Sequence, residues 1–371
     1  MIYLDNASTT KPSKEALDAV FTALESFGNP SSLHRMGLDA EKIINAAKEK
    51  TARALGVEPK NIYFTSGGTE SNNMAILGYA FANKKRGSHV ITTKIEHPSV
   101  LEPFHVLEKN GFDVTYIGVN SDGEISLEEF ENSLRPDTIL VSVMAVNNET
   151  GVIQPVDRLK DIMREKSPKA ALHCDGVQGF LKVDLKPKKS GIDMLSVSGH
   201  KIHGIKGVGS IYIADNININ PIICGGGQQK NIRSGTENVA GIAAFGAAVD
   251  GFSRIGCDKR NELKEKILEK IDNVVINGSD NNSGYVLNVS FLGIKAEILL
   301  HSLEAKGIYV STGSACSSNK PMPSHVLSAM GKSSAEIAGA IRFSFSHEEF
   351  DTDYVVETLK KEVENIRKYV R

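Results

Sequence analysis

Cysteine is scarce in this chain: 371 residues carry four, at Cys174, Cys224, Cys257 and Cys316. They are widely separated and lack the paired spacing of a zinc site or a small disulfide framework, so reduced thiols are expected, three of them as small buried apolar side chains. Excess charge is missing too. A net charge of -2, with 43 basic and 45 acidic residues, gives no electrostatic reason to expect nucleic acid or a membrane surface as the main ligand. Long apolar runs are absent: the longest, Val239 to Val249, is rich in small residues and too short to span a bilayer. Asp5 interrupts the first apolar residues and no basic segment precedes a hydrophobic one, so no signal peptide is read and a cytoplasmic protein is expected.

What is present is an ordinary globular composition, 40% hydrophobic and 24% charged, in a chain long enough for two domains or one large domain with an appendage. Apolar runs suited to strands alternate with helical spacings. Strands are read at 62–65, 89–93, 114–117, 138–146, 170–174 and 193–198, and helices from Ser13 towards Leu24, from Leu38 to Leu55, near 127–134 and 156–165, and at 239–251. The run Thr138 to Val146 is apolar apart from Thr138 and Ser142, as in a strand buried on both faces of a parallel sheet. Polar residues recur just past the strands' C-terminal ends, which predicts an open α/β sheet with a ligand crevice there. Near Gly256 the composition turns to a charged helix, Arg260 to Ile271. Beyond it strands are read at 285–291 and 308–311, with a helix at 296–306 between them.

The chemistry concentrates at the ends of those strands. Lys201 follows Gly199 and His200 in LSVSGHKIHGIKGVG, a segment too rich in glycine for a helix interior. A lysine held there suits a Schiff base with pyridoxal phosphate, whose pyridine nitrogen needs a carboxylate partner, here Asp175. Gln178 is placed to hydrogen-bond the ring. Taken singly, Lys201 reads as a solvated loop lysine and Asp175 as a turn residue more often than not. The strand–Ser66-Gly67-Gly68–helix unit offers free backbone N–H groups at Gly68 and Thr69 to a phosphate. Cys316 lies in TGSACSSNKPMPS, a run of small residues, Gly and Pro that favours a mobile exposed loop. A thiol there reaches the thiolate with modest help. Arg342 in AIRFS can grip a carboxylate by two parallel hydrogen bonds.

The runs ALHCDGVQ, SVSGHK, NIRSGTEN and STGSACSS, together with YLDNASTT, GNPSSLH, EHPSV and AIRFS, resemble in order and over nearly the whole chain the cysteine desulfurases of the NifS/IscS type. These are aminotransferase class V, fold type I pyridoxal-phosphate enzymes. The resemblance implies an α/β fold with a large cofactor-binding domain on a mostly parallel sheet, residues 14–255, and a smaller α+β domain, residues 1–13 and 256–371, carrying the Cys316 loop. It implies Cys316, Lys201 and His97 as catalytic, with His97 over the ring, and Gly68, Thr69, Asn148, Asp175, Gln178, Ser198, His200, Lys201 and Thr236 as cofactor ligands. Asn148 and Arg342 bind substrate in this reading. Thr236 reaches the partner subunit's cofactor phosphate, which implies a homodimer; from sequence alone Thr236 is a helix cap, and it can do both.

L-cysteine is then the expected substrate, converted to L-alanine with a persulfide on Cys316, and the expected partner is a sulfur-acceptor protein, either an iron–sulfur scaffold or a transfer-RNA-thiolation enzyme. No resident metal is read, although Cys316 could transiently ligate an iron–sulfur cluster. The alternatives are a selenocysteine lyase or another class V enzyme, and a non-catalytic sulfur-carrier or scaffold. Gly176 after the aspartate, Asn231, and SFSHEEF after Arg342 depart from the family wording.

Overall fold

The computed structural model describes residues 1–312 and 323–369. A short strand β1 (Ile2–Tyr3) precedes seven strands that form one sheet: β2 (Ile62–Thr65), β3 (His89–Thr93), β4 (Asp113–Ile117), β5 (Thr138–Met144), β6 (Ala171–Asp175), β7 (Met194–Ser198) and β8 (Gly209–Ile213). Their spatial order is β2-β8-β7-β6-β5-β3-β4, and only β8 runs against its neighbours. β3, β5, β6, β7, β8 are buried at every residue, which is what strands covered by helices on both faces require. Since β2, β3, β5, β6 and β7 point the same way, the segments that follow them emerge along one edge.

Helix Lys14–Glu25 is capped by Ser13, whose hydroxyl accepts from Ala16 N–H, and helix Arg35–Leu55 ends at Gly56 with φ 71°. Both pack on the small-residue helix Val239–Gly251. That second helix starts three residues earlier than the apolar spacing suggests, because the His34 ring caps Gly37 N–H.

The remaining strands among the described residues are β9 (Val274–Asn277), β10 (Val286–Phe291), β11 (Ile308–Tyr309), β12 (Ser311–Thr312) and β13 (Ala340–Ser344). An antiparallel sheet β12-β13-β10-β9 is backed by helices Asp258–Lys270, Ala296–Glu304 and Thr352–Tyr369, with its own apolar cluster around Leu263, Phe291, Leu299 and Leu359. Leu4 joins this cluster, and β1 pairs with β11. The single strand expected at 308–311 is therefore two strands, broken at Val310, because its halves serve different sheets. The strand expected at 170–174 runs one residue further, so Asp175 closes β6 rather than following it.

Candidate active site

The segments leaving the common edge of the large sheet surround a cavity of about 250 Å³. Gly68, Thr69, His97, Asn148, Asp175, Gln178, Ser198, His200, Lys201 and Arg342 all line it. Thr236 does not. It lies exposed beside a separate pocket with Ser66 and Arg233. Cys316 lies outside the described residues. Of the other thiols, Cys174 is buried in β6 and Cys257 is half-buried, but Cys224 is exposed beside the turn Gly225–Gly227, a correction to the expectation that all three are buried.

Lys201, one residue past β7 and the turn of Gly199–His200, reaches back across the cavity. Its Nζ donates to the carbonyl oxygens of Ala7 and Ser8, each at 2.6 Å. The segment holding those carbonyls is itself fastened: Thr10 N–H donates to His200 O, and Ala7 N–H to Ser344 Oγ at 2.8 Å. Asp175 is 5% exposed. One oxygen accepts from Val177 N–H at 2.9 Å and the other from Asn72 Nδ2 at 2.8 Å, so the carboxylate is aimed by two donors.

His97 caps the helix Pro98–Lys109 with its ring. Ser99 N–H donates to Nδ1 at 3.1 Å, and since a backbone N–H can only donate, the neutral ring carries its proton on Nε2. Burial lowers the His97 pKa against the opposing charge of Asp175, and His200 is pushed down to about 4 by burial first and then by Lys201. Both rings are therefore neutral near pH 7. Glu96, fully buried next to His97, is pushed up to about 8 by desolvation, and among the described residues its Oε2 has no partner.

Arg342 sits mid-strand in β13 with its side chain 3% exposed. Nη2 donates to Asp5 Oδ1 at 2.9 Å and Ser8 Oγ at 2.7 Å, and Nη1 to Asn148 O at 3.0 Å. Among the described residues its buried Nε has no partner, which suits it to a bound carboxylate. Ser198 Oγ on the cavity wall is likewise buried and, among the described residues, unpartnered.

These features fit pyridoxal phosphate. Thr69 and Gly68 supply first-turn N–H groups that a helix leaves unpaired. The orphaned Ser198 hydroxyl stands beside them: a Cβ on Gly68 would come 3.6 Å from Ser198 Cβ. Asp175 supplies the buried carboxylate and Lys201 the amine. Close packing makes the phosphate turn possible, since a Cβ on Gly209 would lie 2.7 Å from Gly67 Cα.

Residues that the sequence reading did not assign complete the surroundings. Asn72 and Ser99 link Asp175 to His97, with Asn72 Nδ2 donating to Ser99 Oγ at 2.9 Å and Ser99 Oγ 2.8 Å from His97 Nδ1. Ser324 Oγ donates to buried Glu149 at 2.5 Å, and the His325 ring bonds Glu96 O at 2.8 Å, so the helix beginning at His325 is pinned to the site. Nothing in the wording of EHPS or GTESNN marks Asn72 or Ser99, because only the packing brings them to Asp175 and His97.

The model of the aminotransferase class-V family matches residues 2–353. A protein named cysteine desulfurase IscS from Dictyoglomus turgidum is 42% identical across 99% of this chain and 95% of its own. A solved NifS-like protein superposes with a TM-score of 0.88 at 36% identity, covering 99% of this chain and 98% of that one. The structure titled SspA in complex with cysteine gives 0.85 at 36% identity over 94% of this chain and 100% of its own. With the strand order, the lysine–aspartate pair and the full-length similarity all agreeing, the chain belongs to the aminotransferase class-V family, among the cysteine desulfurases of the NifS/IscS type.

Proposed function

We propose that this protein removes sulfur from L-cysteine with pyridoxal phosphate as cofactor, yielding L-alanine and a persulfide on Cys316. The observation that carries the reading is the convergence of Lys201, Asp175, His97 and Arg342 on one cavity from four separate strands or the turns after them. Gly68, Thr69, Ser198 and His200 hold the phosphate side in this reading, and Asp175, Gln178, Asn148 and His97 the ring. Bound pyridoxal phosphate supplies an electron sink for the substrate's Cα, and Asp175 keeps the pyridine nitrogen protonated.

The chain's own residues do the rest. The Nε edge of Arg342, unpaired among the described residues, and the Asn148 amide orient the substrate carboxylate. Lys201 moves the Cα proton, its amine guided by the Ala7 and Ser8 carbonyls that it already touches. His97 holds a proton on Nε2, ready for donation. The Cys316 thiolate attacks the substrate sulfur; the C–S bond breaks with its electron pair staying on the substrate carbon, which takes up a proton. Atoms balance as L-cysteine plus thiol giving L-alanine plus persulfide.

A homodimer fits two features: Thr236 does not line its own chain's cavity, and Phe21 within helix Lys14–Glu25 and Phe27 just after it stand 68% and 80% exposed. The division at residues 13/14 and 255/256 fits the two apolar clusters, since Leu4 packs with Leu263 while Ala16 packs in the cluster of the large sheet. A sulfur-acceptor protein completes the reaction, and a cytoplasmic location suits its reduced thiols. No helix among the described residues is long and apolar enough to cross a membrane.

The test is alanine and sulfide release from L-cysteine and a reducing thiol by the purified, coloured protein. Equal yields are expected from the wild type, and C316S should keep the colour and lose both products. Full cysteine turnover by C316S would sink the Cys316 assignment. Selenium release from selenocysteine by C316S, with sulfur release lost, is compatible with the desulfurase reading, because selenium leaves without a thiol's attack.

A further inference from the structure

Lys182 is 5% exposed and lies four residues beyond Gln178. Among the described residues it makes no ion pair. Its Nζ donates to Gln178 Oε1 at 3.2 Å and lies 5.2 Å from the centroid of the Tyr285 ring. An ammonium buried without an anion is costly, and an alkyl chain of the same length would fill the space more cheaply. Burial, with the Lys201 charge second, pushes the Lys182 pKa down to about 7.

What the nitrogen provides is the orientation of one amide. Gln178 Nε2 donates to Ala7 O at 2.9 Å, and that same carbonyl receives Lys201 Nζ at 2.6 Å. With the oxygen of Gln178 taken by Lys182 and one amide hydrogen taken by Ala7, the second hydrogen is left for the cavity that Gln178 lines. A reversed amide would set its NH₂ against the ammonium form of Lys182 and, whatever the charge on Lys182, its oxygen against the Ala7 carbonyl. Ala7 alone enforces only half of this, and it shares its oxygen with Lys201.

We propose that Lys182 is a positioning residue of the cofactor pocket, holding the Gln178 oxygen so that the amide presents only N–H to the ring of pyridoxal phosphate. The proposal rests on the reading of the cavity as a pyridoxal-phosphate site. The ring oxygen and the phosphate of that cofactor are all acceptors, so an amide turned the wrong way would meet them oxygen to oxygen.

The experiment is a thermodynamic cycle on cofactor binding, read without turnover. Full-length protein is stripped of cofactor, and pyridoxal phosphate is titrated into wild type, K182M, Q178L and the double variant, recording the dissociation constant and the position of the visible band. K182M should bind about tenfold more weakly with a displaced band, Q178L should lose a similar factor, and the double variant should bind no more weakly than Q178L. The K182M apoprotein should melt no lower than wild type, since a buried charge has been removed; a packing role for Lys182 would lower melting and binding together. Unchanged affinity in K182M, or losses that multiply in the double variant, would overturn the proposal. Should K182M not fold, K182L is read by the same criteria. A wild-type protein that takes up no pyridoxal phosphate overturns the cofactor reading itself, before any variant is compared.

Discussion

Asn72 Nδ2 donates to the Asp175 carboxylate at 2.8 Å and to Ser99 Oγ at 2.9 Å, so one amide braces two sides of the cavity. Replacing it with alanine leaves Asp175, among the described residues, with the Val177 N–H alone and frees the hydroxyl that steadies His97. We expect N72A to weaken cofactor binding by roughly tenfold, the value of one hydrogen bond to a charged group. N72D should be worse, because it sets a second negative charge against Asp175. Titration of the stripped protein with pyridoxal phosphate checks both, and wild-type affinity in N72D would refute the bracing role.

In the proposed reading Arg342 bears on substrate rather than cofactor. Lysine at that position keeps a positive charge but loses the planar fork that satisfies Asp5, Ser8 and Asn148 while leaving Nε for a carboxylate. R342K should raise KM for L-cysteine by roughly 10- to 100-fold with the visible band unchanged. An altered band with an unaltered KM would place Arg342 on the cofactor instead.

Glu96 gives the stability a definite pH dependence. Unfolded, its carboxyl releases a proton near 4.5; folded, near 8, because desolvation disfavours the charge. The folded state therefore holds a proton that the unfolded state has lost between those values, and this contribution to stability falls as pH rises through the window, by at most about 1.4 kcal/mol per pH unit. Below 4.5 and above 8 the contribution is flat. Glutamine keeps the oxygen that accepts from Thr93 and Met144 and does not titrate. Melting temperatures of E96Q relative to wild type should rise between pH 5 and pH 8, and parallel profiles would show that Glu96 is ionised in the fold.

Gly209 allows β8 to lie against the phosphate turn. A methyl group there meets Gly67 Cα and Val197 O, each at 2.7 Å, and both are backbone atoms that cannot rotate aside. G209A should lower the melting temperature and loosen the cofactor together, by roughly 1–3 kcal/mol in stability. Thermal melts with and without pyridoxal phosphate separate the two effects, and an unshifted pair of melts would show that the turn is slack.

The strands that matter were legible because each is an apolar run closed by a polar residue, so Asp175, Lys201, His97 and Asn148 announce themselves at the ends. Arg342 was readable as chemistry but not as the middle of a strand, since AIRFS is short and its partners Asn288 and Ser311 are far away in the chain. β9 went unread because half-buried Val274 to Ile276 sits in a stretch of turn residues. Asn72, Ser99 and Lys182 could not be singled out at all: a polar residue on a helix or a turn looks the same whether it faces solvent or a buried carboxylate, and only the packing decides. The exposure of Cys224 follows the same logic in reverse, as residue type alone favours burial.

The N-terminal segment that cups Lys201 is held by residues near the other end of the chain, with Ala7 N–H on Ser344 and Leu4 N–H on Tyr309. On the ribosome this sets an order. The large sheet, whose last strand ends at Ile213, can assemble while its reactive lysine stands open, and the wall over that lysine is finished only after residue 344 has emerged. The first ten residues can dock on the large sheet through Thr10 on His200 and Ala7 on Gln178, yet the cavity that they help to wall gains Arg342 only once that late strand has been made, so cofactor met during synthesis finds a site that lacks one side.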